Sequence, residues 1–139
     1  MATVIRPEIS EKNKYYIDKH RYYELKHFCL QYNEWKKGYA KCDDAIIFAA
    51  RIDRLPSSNI PSDITAKYAM RKLYYSERIK LVDRVAIDTD EFLYPFILKA
   101  VTEGLSYTYL KSKLNIPCGR DMYYDRYRKF FWLLSEARD

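Results

Sequence analysis

Glycine and proline are scarce in this chain, with three and five residues in 139. So few backbone breakers among so many long side chains favour helices over a turn-rich sheet fold. Three cysteines, Cys29, Cys42 and Cys118, form no Cys-x-x-Cys pair. An odd, scattered set argues against a disulfide framework and predicts reduced thiols in the cytoplasm. Histidine is rarer still, with His20 and His27 alone, which leaves a zinc site short of ligands. No apolar run approaches the ~18 residues that a membrane span needs. The opening Met-Ala-Thr-Val-Ile-Arg-Pro carries no apolar stretch of the signal-peptide kind. Glycine-rich phosphate loops are missing too. The expectation is a protein with no membrane partner, no cofactor and no metal.

What is present fits a packed domain. Hydrophobic residues make up 48% of the chain and aromatics 17%, enough for a core that needs no covalent staple. The formal net charge is +6, which makes a polyanion the natural partner, nucleic acid first. The surplus sits at the ends: +4 over residues 1–41, −1 over 42–103 and +3 over 104–139.

Periodicity divides the chain further. Residues 1–19 read as an extended arm. Tyr22, Leu25, Phe28 or Cys29, Tyr32 and Trp35 recur at helical spacing, predicting a first helix from Lys19 to Lys37 stopped by Gly38. A second helix is expected over 43–54, with Ala45, Ile46, Phe48, Ala49 and Ile52 on its apolar side. The stretch 55–62, Leu-Pro-Ser-Ser-Asn-Ile-Pro-Ser, is the clearest loop. A third helix runs from Ser62 or Asp63 to Ile87, long enough to support a homodimer or to be buried within one chain. Asp88-Thr-Asp90 then caps a fourth helix, with Phe92, Leu93, Phe96, Ile97, Ala100 and Val101 as its core stripe and Gly104 at its end. The expected fold is all-α, a helical bundle with a C-terminal helix-turn-helix. Two domains are drawn: 1–61, an arm and helices of unassigned role, and 62–139, a scaffold whose DNA-binding core is 104–134.

Residues 104–134 carry the functional reading. Ser106 caps a short helix ending near Leu114, Asn115-Ile-Pro-Cys118 makes a tight turn with Ile116 as its apolar plug, and a longer basic helix follows from Gly119. A short helix, a turn and a basic helix is the pattern of helix-turn-helix modules, whose second helix enters the major groove. Tyr123, Tyr127, Phe130, Phe131 and Leu134 are expected to face inward. Arg120, Asp121, Met122, Tyr124, Asp125 and Arg128 are expected to face outward. Arg120 suits a bidentate contact to guanine, and Asp121 can accept from cytosine. Tyr124, Arg126, Arg128 and Lys129 suit phosphates or bases. Lys111 and Lys113, with Ser106 at the first helix's start, suit phosphate contacts that fix register.

These residues carry a resemblance. Gly104-Leu-Ser, Leu110, Leu114-Asn-Ile-Pro, Gly119-Arg, Tyr123-Tyr124, Arg126, Arg128-Lys129 and Leu133-Leu134 resemble the C-terminal end of phage late-gene transcriptional regulators of the RinA/ArpU type, which look like region 4 of sigma factors. The likeness extends loosely over 64–137. It implies promoter binding in phage or prophage genes with contact to host RNA polymerase, and it puts Arg120, Met122, Tyr124 and Arg128 on the DNA-reading face. Asp121 and bulky Met122 depart from the small polar residues common after Gly-Arg in such modules.

Other constellations carry less. Fifteen tyrosines invite a recombinase reading, but no Arg/His cluster surrounds any of them, and tyrosines commonly pack helices with a wet hydroxyl end. His20, Glu24 and His27 share a helix face and read as solvated. Cys118 stands near a helix N-terminus, which lowers a thiol pKa, yet no histidine is spaced to use it. No catalytic residue is assigned. Two other classes stay open: a phage packaging or assembly factor of small-terminase type, and a helical protein-interaction module that binds no DNA.

Overall fold

The structure, a computed structural model, describes residues 13–54 and 62–139, the side chains of 53 and 62 excepted. The fold is all-α: among the described residues the regular elements are helices α1 (Lys19–Leu30), α2 (Tyr32–Asp53), α3 (Ser62–Thr89), α4 (Tyr94–Glu103), α5 (Tyr107–Leu114) and α6 (Arg120–Arg138). They form two compact units, one of the segment up to Gln31 with Leu81–Asp139, the other Tyr32–Lys80. The division drawn at residue 61 falls inside the second unit. Residues 1–12 of the expected arm and 55–61 of the expected loop lie outside the described residues.

In the first unit α1 packs on α4 and α6, and α4 on α5. Tyr22, Leu25 and Cys29 of α1 are buried against this assembly, with Val82 and Ala86 from the end of α3, Ile97 from α4, Leu110 from α5 and Phe130, Phe131 and Leu134 from α6. Burial of each of the Val, Leu, Ile and Phe side chains among these contributes about 1.5–3 kcal/mol. The Tyr22 ring meets Phe131 edge-on at 5.1 Å, and its hydroxyl shares a 2.6 Å hydrogen bond with that of Tyr127. Arg21 ties α1 to the end of α6, donating to Ser135 Oγ and Ser135 O at 3.0 Å and pairing with Asp139 at 2.7 Å. Residues 13–18 are not simply extended: Tyr16 N–H closes a turn on Asn13 O, Ile17 is buried and the Tyr15 ring lies 5.9 Å from that of Trp132.

The second unit corrects the expected helix boundary. Helix α1 ends at Leu30 with Gln31 as its cap, and α2 runs straight through Gly38. Glycine does a different job there. The Tyr75 ring of α3 lies where a Cβ would stand, 2.6 Å from that point, so the missing side chain admits an aromatic ring between helices. Lys72 pairs with Asp43 at 2.7 Å and stands over the Tyr39 ring.

The start of α4 also differs from expectation. Residues 91–93 form a turn. Asp90 Oδ1 accepts from the amides of Phe92 and Leu93, both at 2.8 Å. Pro95 lies in the first helical turn, where it needs no donor. Phe92, expected in the core stripe, therefore points outward and is 87% exposed, whereas Leu93 is buried. Gly104 ends α4 in the left-handed conformation at φ 70°, where a side chain would be strained.

Candidate nucleic-acid interface

Helix α5 begins at Ser106, whose hydroxyl accepts from Tyr109 N–H at 3.2 Å, so Ser106 serves first as a cap. It ends at Asn115, left-handed at φ 54°, one of the few residue types that accept this conformation. The turn drops Ile116 into the core at 1% exposure, and its amide returns to Leu110 O at 3.1 Å. Tyr107 then spans the turn. Its hydroxyl donates to Cys118 O at 2.8 Å in a buried bond. Gly119 is the N-cap of α6, in extended backbone. A short helix, a tight turn and a long helix are thus clamped together by one plug and one buried hydrogen bond.

The clamp decides which side chains of α6 remain outside. Arg120, Asp121 and Met122 are exposed in the first turn; the Arg120 guanidinium stands 5.0 Å over the Tyr107 ring, which limits where it can point. On α5, Lys111 and Lys113 are exposed, and Lys111 Nζ also reaches Ile116 O at 3.4 Å. These five residues lie on α5 and the first turn of α6. Tyr123, Phe130, Phe131 and Leu134 are buried as expected, while Tyr127 is half-buried. Burial, and then the neighbouring Tyr22, push the Tyr127 phenol well above its ordinary pKa.

One outward assignment and one expected DNA contact are corrected. Tyr124 is buried. It stacks on Tyr123 at 5.1 Å with the rings 8° from parallel, and Tyr107 of α5 covers it at 6.3 Å. The buried face of α6 widens at its start because α5 crosses there. Arg126 is committed to an ion pair: its Nε donates to Asp90 Oδ2 at 2.9 Å and its Nη1 to Asp125. Burial alone would raise the Asp90 carboxyl, but the Leu93 amide, Arg126 and the Phe92 amide outweigh it and hold the group below its usual range. Asp90 thus caps α4 and anchors α6 at once, a role that spacing could not reveal because the partners are 36 residues apart. Arg128 and Lys129 are half-buried, and the Arg128 Nε is buried with no hydrogen-bond partner among the described residues, so neither stands free on the outer face.

The remaining candidates resolve simply. Burial, the largest influence, raises the Cys118 thiol pKa, the reverse of the shift expected from a helix N-terminus. Cys29, Cys42 and Cys118 are all buried free thiols. His20, Glu24 and His27 are exposed, and no group of three metal-binding side chains gathers among the described residues. None of the described helices is long and apolar enough to cross a membrane. Compared with known proteins, the chain matches no family model, no curated protein and no solved structure.

Proposed function

We propose that the protein binds double-stranded DNA through α5, the turn and α6, as a sequence-reading transcriptional regulator of phage or prophage type. The observation that carries this reading is the exposed first turn of α6 beside two exposed lysines of α5, held at fixed geometry by Ile116 and the Tyr107–Cys118 bond. An α-helix fits the major groove and its N-terminal residues reach base edges. Arg120 reads guanine there, Met122 contacts a thymine methyl and Asp121 selects cytosine. Lys111 and Lys113 bind phosphates. The basic balance of residues 104–139 and the resemblance to late-gene regulators support the same assignment, and the resemblance adds RNA polymerase as a second partner. The role is binding, not catalysis. Tyr124 and Arg126 are removed from the reading set, and Arg128 and Lys129 move to its edge.

The test is fluorescence anisotropy with a pool of duplex fragments that includes the gene's own upstream region. Arg120→Ala lowers affinity for the preferred fragment by about 5- to 150-fold, equivalent to ~1–3 kcal/mol, and relaxes preference. Lys113→Ala weakens all fragments alike and flattens the salt dependence. Equal binding by both variants and wild type overturns the assignment of this face.

A further inference from the structure

Helix α3 carries a second surface, on the side away from α2. Ala66, Met70 and Leu73 are exposed along it, Met70 at 74% and Leu73 at 58%. They continue a stripe of alternating three- and four-residue steps: Asp63, Ala66, Met70, Leu73, Glu77, Lys80. All six are exposed. Positions at this spacing share one side of the helix, with Ala66, Met70 and Leu73 as its apolar centre and charges towards both ends. Asp63, Lys67, Glu77 and Lys80 make no ion pair among the described residues, although Lys72 on the opposite face does.

The charges on the stripe are self-complementary in one orientation. An antiparallel copy related by a two-fold axis between residues 71 and 72 sets Met70 against Leu73 of the second copy. It sets Asp63 against Lys80, acid against base, at the two ends of the seam. Glu77 then lies over Ala66, with Lys67 of the second copy within about 1.5 Å along the axis. A parallel pairing instead sets Asp63 against Asp63, Glu77 against Glu77 and Lys80 against Lys80. Like charges opposed at a seam are the usual means by which sequences exclude an orientation. We propose that the outer face of α3 over Asp63–Lys80 is an isologous interface with a second copy of this chain, in the antiparallel register.

Charge reversal tests it, because every substituted position is exposed and the fold is spared. Wild-type protein has twice the chain mass by sedimentation or light scattering. Lys67→Glu opposes two acids in each pair and Glu77→Lys opposes two bases, so each variant alone shifts to the monomer mass, with circular dichroism unchanged. An equimolar mixture of the two variants regains the dimer, since the acid introduced in one variant then meets the base introduced in the other. Met70→Glu is monomeric alone and in any mixture. A wild-type monomer at all concentrations, a ring-sized assembly, a dimer indifferent to these substitutions, or a mixture that fails to recover each overturns the proposal.

Discussion

Arg120 and Arg126 lie on the same helix and do different work. Arg126 is held by Asp90 and Asp125, while Arg120 is exposed at the helix start. Arg126→Ala is expected to lower stability by about 1–2 kcal/mol, a figure reduced for the partial exposure of the pair. Arg120→Ala leaves stability unchanged, and urea unfolding of the two variants separates the roles. Asp90 gives the pair its pH dependence. Its folded pKa lies below the ordinary value of 3.8, so its contribution is present above that value and is lost as pH falls through the folded one. Asp90→Asn keeps an acceptor for the two amides but no charge for Arg126. It should therefore be less stable than wild type at neutral pH and converge on it in acid, as acid-unfolding curves would report. The thiols offer another check. Burial pushes Cys29 up to about 12, so an alkylating reagent at neutral pH should leave it unmodified in the folded protein and label it on unfolding. Rapid labelling of the native protein contradicts the packing.

At the scale of elements, the turn between α5 and α6 is the most sensitive to substitution. Ile116→Ala should cost about 2–4 kcal/mol, because it opens a cavity where two helices cross. Gly38→Ala should also destabilise. A methyl there meets the Tyr75 ring, and overpacking costs about 1–3 kcal/mol against ~1 kcal/mol gained in helix propensity. Adding Tyr75→Leu should remove the penalty, a coupling that a double-mutant cycle measures. These elements also mark how far the sequence can be read. The face of α1, the bounds of α3, the Gly104 stop and the plug at Ile116 follow from helical spacing and from local conformational preference, and all are legible. Gly38 misleads because glycine both ends helices and admits rings, and only the partner 37 residues away decides which. Phe92 misleads because the cap at Asp90 shifts the start of α4. Tyr124 and Arg126 mislead because periodicity gives one inward face per helix, whereas crossing helices and distant carboxylates reshape it.

For the whole molecule the question is where the basic charge acts. The surplus at residues 104–139 surrounds a clamped helix pair with an exposed leading turn, and the proposed α3 pairing would bring two such modules into one assembly. Dimeric readers bind two half-sites, so a variant that loses its α3 contacts should keep the reading turn and lose affinity for a full site more than for a half-site. The most direct test of the central claim is anisotropy titration of the wild-type protein with duplex DNA fragments at two salt concentrations. The account predicts tight binding to one fragment that survives moderate salt, with a weaker and steeply salt-dependent background on the rest. Absence of binding to any duplex even at low salt would contradict it and leave α5 and α6 as scaffold.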